Sequence, residues 1–318
     1  MIMKELNILI SALAALTIFV SCENDFIIEN EEYTNKIVVN SIFSNLDTLK
    51  AEVTKTFSPY KPIEVKELRN AKVSLFGNGQ FIEELAYRKL PEDTIGKFIS
   101  TTIPEQGIDY SIEVTDNELG TATAASSIPG SFEVSDLSAV WTKWGEYNST
   151  SMRYNFKFTL HDRETTDYYY LTIAFPVIKK DEDTGEWNFY AYQYCEIQTG
   201  DLPLHQLYLR NGLIFEDRGF NGTEHVISGS ATTYKYPFGD FEVDWPADTN
   251  KIKVDSLHLH INVYKLSKDL FTFYSSHATA LKNENNVYSE PTPIYSNIEN
   301  GVGVFGGEFV IESVVETK

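Results

Sequence analysis

The stretch Ala71-Lys72-Val73-Ser74-Leu75-Phe76-Gly77-Asn78-Gly79-Gln80-Phe81-Ile82-Glu83-Glu84-Leu85-Ala86 decides the fold class. Apolar and polar residues alternate on either side of a glycine-rich turn, the period of a strand with one buried face. Gly77-Asn78-Gly79 supplies residues that tolerate positive φ, as a tight hairpin requires. The run therefore reads as a hairpin with strands near 71–76 and 80–86. Working outward, further strands are expected near 35–43, 49–57, 97–103, 109–115 and 120–127. Seven short strands at this spacing argue for an immunoglobulin-like sandwich over 33–130. Ile128-Pro129-Gly130 closes it, and alternation restarts at Phe132.

Beyond that boundary the strands lengthen: Met152 to Leu160, Tyr168 to Val177, Trp187 to Ile197, His225 to Ser230, Ile252 to Tyr264, and a last one near 308–315. One helix is expected near 267–282. Ser267 suits its N-cap, Asp269 lies in the first turn, and Leu270, Phe273, Tyr274, His277 and Leu281 follow at helical spacing. The expected fold is mainly β, with two β-sandwich-like domains, 33–130 and 131–318, the second carrying the short helix.

Composition narrows the function. The chain has 318 residues, 46 acidic and 26 basic side chains and a net charge of -20. A nucleic-acid partner is not expected, because phosphate binding needs a basic face. With 42% apolar and 14% aromatic residues, the chain can bury a substantial core and is not disordered.

The N-terminus reads as an address. Lys4 and Glu5 precede an uncharged run from Ile8 to Val20, of signal-peptide length and too short to span a bilayer. Phe19-Val20-Ser21-Cys22 follows, a small residue before a cysteine, and resembles the lipobox of bacterial lipoproteins. Residues 1–21 are then a lipoprotein signal peptide, Cys22 the lipid attachment site, and 22–32 an acidic tether. The tether is also similar to the surface-export signal of Bacteroidota lipoproteins. The lipid would hold the body at a membrane surface. With Cys22 acylated, Cys195 has no partner; it lies in an alternating run and is expected in the core.

Several segments together carry a resemblance: Cys22, Lys36-Ile37-Val38-Val39-Asn40, Asn70 to Leu75, Ser127-Ile128-Pro129, Ser289-Glu290-Pro291, Ser296-Asn297-Ile298 and Gly301-Val302-Gly303-Val304-Phe305-Gly306-Gly307. The chain resembles the domain-of-unknown-function 4249 family of Bacteroidota lipoproteins over nearly its whole length. The resemblance gives Ser296, Asn297, Ile298, Gly301, Gly303, Phe305 and Gly306 as a structural motif and brings no catalytic residue. It implies an association with TonB-dependent outer-membrane transporters.

Other motifs are weighed on their context. Gly301 to Gly306 fits G-x-G-x-x-G, but no helix or distal acid follows, so a glycine-rich turn between closely packed backbones is expected instead of a nucleotide site. His258 and His260 alternate onto the wetter face of a strand and lack a third ligand, so no metal is expected. Asp181-Glu182-Asp183-Thr184-Gly185 is half a calcium loop and reads as a solvated hairpin turn. Asp47-Thr48-Leu49, Asp93-Thr94-Ile95 and Asp255-Ser256-Leu257 are similar to the Bacteroidota O-glycosylation pattern, the third lying in an expected strand. Trp141 and Trp144 fall near an expected loop.

Tyr190, Tyr192 and Tyr194 alternate onto one face, with Trp187, Phe189, Ala191 and Cys195 on the other. Exposed, the tyrosines would form a ligand-binding platform for a sugar or peptide; buried, a cross-strand ladder, which the sandwich context favours. No catalytic motif and no cofactor site is evident, so the chain is not expected to be an enzyme. The leading expectation is a non-catalytic binding accessory of a TonB-dependent transporter, lipid-anchored at the outer membrane and facing the cell surface, with the periplasmic face as the alternative. A structural or adhesive surface module is the alternative, and a hydrolase with a dispersed site comes third.

Overall fold

The computed structural model describes residues 33–58, 62–91, 93–142, 151–201, 207–209, 211–234, 252–284, 290 and 292–318. The expected signal peptide, Cys22, the expected tether up to residue 32 and Trp144 lie outside these residues, as do Ser289 and Pro291.

Among the described residues, nine strands precede the Pro129-Gly130 boundary: β1 (Ile37–Ser44), β2 (Lys50–Lys55), β3 (Lys66–Glu67), β4 (Lys72–Gly77), β5 (Gln80–Glu84), β6 (Ala86–Arg88), β7 (Lys97–Ile99), β8 (Asp109–Asp116) and β9 (Gly120–Ser127). Eleven follow: β10 (Glu133–Thr142), β11 (Ser151–His161), β12 (Tyr168–Lys180), β13 (Trp187–Tyr194), β14 (Glu196–Gln198), β15 (Leu207–Leu209), β16 (Gly212–Glu216), β17 (Glu224–Tyr234), β18 (Ile252–Val254), β19 (His258–Leu266) and β20 (Gly301–Glu316). Helix α1 (Lys268–Glu284) lies before the last strand. The hairpin expected around Gly77-Asn78-Gly79 is β4–β5, turned by Asn78 at φ 50° and Gly79 at φ 74°.

The chain is mainly β, with two smaller sheets forming sandwich-like layers against one long sheet. That sheet runs β15-β16-β12-β19-β20-β1-β2-β7-β6, with β13 and β18 also paired to β12 and β3 to β2. The sheet β5-β4-β8-β9 faces one end of it across a core that includes Val39, Leu49, Val73, Leu75, Ile112, Val114 and Phe305. The sheet β10-β11-β17-β14 faces the other end across Tyr154, Phe156, Phe158, Tyr169, Phe175, Phe215 and Ile261.

Strand β20 joins the two halves. Its first part pairs in parallel with β1, from Ile37 opposite Gly301 to Ser44 opposite Glu308. Its second part pairs antiparallel with β19, from Leu266 opposite Glu308 to His258 opposite Glu316. Residue 130 therefore falls between the elements that supply the two cores, while the closing strand contributes to both. The strand expected from 308 begins earlier, at Gly301, because the glycines of 301–307 lower strand propensity without preventing pairing.

Helix α1 covers the opposite face of the central sheet. The Leu270 amide donates to Ser267 Oγ at 3.4 Å, the expected N-cap, and fully buried Leu270 packs with Ile214, Leu266 and Val304. Among the described residues no helix is long and apolar enough to cross a membrane.

Candidate functional site

The tyrosines of β13 lie outside the core, which corrects the expectation of a buried ladder: Tyr192 and Tyr194 are each 39% exposed. The reason is position. β13 pairs only with β12 among the described strands. Its buried Gln193 turns toward the facing sheet and donates to Thr233 Oγ1 at 2.6 Å, which leaves Tyr192 and Tyr194 on the other face. The alternation is also corrected. A bulge inserts Tyr190, since Val177 pairs with Ala191 while Ile178 pairs with Phe189. An inserted residue switches the faces beyond it. Phe189 therefore joins Tyr192, ring centroids 4.9 Å apart, while Tyr190 lies 5.4 Å from the Lys179 ammonium.

Across the sheet, His260 completes the cluster. Its ring centroid is 5.0 Å from that of Tyr192, and its Nδ1 lies 3.5 Å from the Tyr192 hydroxyl. Burial holds the His260 imidazole below its ordinary range, and burial then the nearby Glu312 carboxylate raise the Tyr192 phenol. Imidazole and phenol thus stay neutral at pH 7, as donor and acceptor on an apolar surface. Below Tyr194 a cavity of about 480 Å³ opens between Leu209, Gly212 and Ile197. Sequence period alone pairs the tyrosines but misses Phe189 and His260; the first depends on the bulge and the second on strand pairing.

The closing segment is structural, and its glycines form the strand itself, not the expected turn. A Cβ on Gly303, at φ 117°, would lie 2.1 Å from the Val39 carbonyl oxygen, and one on Gly306 would lie 2.8 Å from Leu270 Cβ. Where β20 has not yet met β19, Asn297 serves as a one-residue neighbour: its amide donates to the Phe305 carbonyl at 2.8 Å and accepts from the Phe305 N–H at 3.0 Å. A family model described as domain of unknown function (DUF4249) matches residues 23–310, which include this segment and β20 as far as Val310. The chain belongs to the DUF4249 family. No curated protein matches it.

The other candidates in this DUF4249 chain resolve as follows. Cys195 is buried, and burial pushes its thiol well above the ordinary range, as expected of a core residue. His258 Nδ1 faces Asp255 Oδ2 at 2.8 Å, and its ring shares the face of His260. Asp181 Oδ1 accepts the amides of Asp183 and Thr184 at 3.0 and 2.7 Å, closing the expected hairpin turn. Asp255-Ser256-Leu257 lies in the turn between β18 and β19 instead of in a strand, because the two pair separately. Trp141 is half exposed at the end of β10.

One cluster had no signal in the sequence. Asp162, Asp167 and Asp217 bring carboxylate oxygens within 4.8 Å of one another. Donors already occupy most of them: the Tyr169 hydroxyl at 2.6 Å and the Gly222 amide at 3.0 Å on Asp162, Thr165 and the Lys265 ammonium on Asp167, and the Asp167 amide at 2.8 Å on Asp217. This is the pattern of a buried ion-pair network rather than an open ligand set. Asp217 Oδ1 has no hydrogen-bond partner among the described residues, and burial, helped by Asp162 and Asp167, pushes the Asp217 carboxyl up to about 6 from 3.8.

An acid raised by folding gives stability that is complete below its unfolded value and lost as pH climbs through the folded one. Asp217→Asn keeps the acceptor for Asp167 and adds a neutral donor. It is expected to stabilise the protein by roughly 2 kcal/mol at pH 8 and to change little at pH 4. Urea midpoints at the two pH values check this; equal effects at both would refute it.

Proposed function

We propose that this protein is a lipid-anchored binding accessory of a TonB-dependent outer-membrane transporter, with its ligand seated on the aromatic cluster of β13. The observation that carries the reading is the exposure of Phe189, Tyr192 and Tyr194 beside His260 on one sheet face. Aromatic side chains left outside a core offer large apolar area with polar edges, suited to a sugar ring or a peptide. The anchor rests on the apolar run Ile8 to Val20 followed by Ser21-Cys22, and the transporter on the association that the family resemblance implies. No chemistry on the ligand is required of this face.

Purification of the full chain from detergent-solubilised outer membranes should bring a TonB-dependent transporter with it; repeated recovery of none sinks the reading. Cys22→Ala should release the protein from the membrane fraction. In a screen of soluble glycans and peptides, a retained ligand should lose about tenfold in affinity with Tyr192→Ala, or about 1.4 kcal/mol, with the fold unchanged. Membrane attachment without any ligand loss would favour a structural or adhesive module.

A further inference from the structure

On the opposite side of the molecule, the outer face of β10-β11-β17 carries three residues far apart in sequence and joined in space. Ser135 Oγ lies 2.7 Å from His161 Nε2, and His161 Nδ1 lies 3.2 Å from Glu224 Oε1. Strand register explains the meeting. His161 stands opposite Glu133 on β10 and Glu224 on β17, and Ser135 stands opposite Thr159. Phe158 and Leu160 point into the core, so Thr159 and His161 point outward. A hydroxyl bonded to one imidazole nitrogen, with a carboxylate at the other, is the arrangement that activates serine: the ring takes the proton and the carboxylate orients the ring.

The backbone is distorted at the same point. Asp136 sits at φ 53°, a left-handed conformation rare for a residue with a side chain, and a bulge places Asp136 and Leu137 opposite Phe158 alone. Bulges and strained backbone re-aim side chains next to functional sites, and both cost free energy that an ordinary ladder would not. Thr159 Oγ1 donates to Asp136 Oδ2 at 3.2 Å, which ties this carboxylate down 3.5 Å from the serine. Just past the bulge, Ser138 and Lys157 begin an open groove of about 690 Å³ that continues along Asn155 and Ser228.

We propose that Ser135, His161 and Glu224 form a nucleophilic centre that hydrolyses small carboxylic esters, the polar part of the substrate lying in this groove. Ser135 Oγ bonds to the ester carbonyl carbon while its proton passes to His161 Nε2. The ester C–O bond breaks and the leaving alcohol takes that proton. Water then gives a proton to His161 and displaces Ser135, which recovers its hydrogen, so ester and water become acid and alcohol. Ser135 and His161 are the catalytic residues and Glu224 is a positioning residue. This inference is independent of the aromatic face and can fail without it.

The test incubates the full chain in detergent with an alkyl fluorophosphonate, followed by peptide mass spectrometry. Ser135 should carry the adduct, with fluoride as the leaving group. Ser135→Ala and His161→Ala should lose the adduct and slow p-nitrophenyl acetate turnover about 100-fold at unchanged thermal midpoint. Glu224→Gln should lower kcat several-fold at constant KM, with partial rescue by Glu224→Asp, a split that a merely structural contact would not give. Were His161→Ala to unfold, Ser135→Ala and Glu224→Gln carry the comparison. An unmodified Ser135, or turnover in Ser135→Ala equal to wild type, overturns the proposal.

Discussion

Replacing Gly303 with alanine is expected to destabilise the protein by roughly 3–5 kcal/mol, measured as a fall in the urea midpoint at constant slope. Two costs combine at this position. Its φ of 117° lies outside the range an alanine adopts without strain. The new Cβ would also meet the Val39 oxygen at 2.1 Å, and that atom is backbone of the paired strand β1, which cannot swing aside as a flexible side chain would. Gly79→Ala is the control. Gly79 also has a positive φ, 74°, but nothing lies within 4 Å of the built Cβ, so only the conformational cost of about 1 kcal/mol remains. Equal losses in the two variants would show that the close approach of β1 to β20 carries no energy.

Phe305→Ala is expected to cost about 3–5 kcal/mol, the range for deleting a buried aromatic ring and leaving its cavity. Phe305 is fully buried, its ring centroid lies 4.8 Å from that of Phe43, and Asn297 pins its backbone from the other side. The surrounding core cannot close over the void, because both neighbours are themselves held in place. Phe81→Ala, at a position 60% exposed, should change stability by less than about 0.5 kcal/mol. β20 continues from Phe305 through Phe309, Ile311 and Val315 into the second core. Phe305→Ala is therefore expected to lower one unfolding transition shared by both cores. A denaturation curve that splits into two steps, only one of them shifted, would contradict that coupling.

Much of the fold is legible in the sequence because strands and turns are local. The β4–β5 hairpin follows from alternation around Asn78-Gly79, and α1 from Ser267 and the helical spacing after it. Side-chain grouping is legible only where the period holds. The period places Tyr192 and Tyr194 together, but the Tyr190 bulge moves Phe189 to their face, and no residue type announces a bulge. The Asp162, Asp167 and Asp217 network and the Ser135, His161 and Glu224 relay have no sequence signal at all. Asp162 and Asp167 share the loop between β11 and β12 but meet Asp217 only through pairing of β12 with β16, and Ser135, His161 and Glu224 meet only through pairing of β11 with β10 and β17.

The charge of -20, the apolar run before Cys22, the strand-rich pattern and the family were set by the sequence alone, since each is a property of composition or of neighbouring residues. Which strands pair was decided only in the tertiary structure. Strands β1 and β20 lie side by side in parallel, and no local preference encodes a contact across that length of chain. It arises because β20 presents Phe305 to one core and Ile311 to the other, with glycines where the neighbouring backbone must come close. In the same way, pairing of β12 with β13 and β19 brings the aromatic cluster together, and pairing of β11 with β10 and β17 brings the serine relay together.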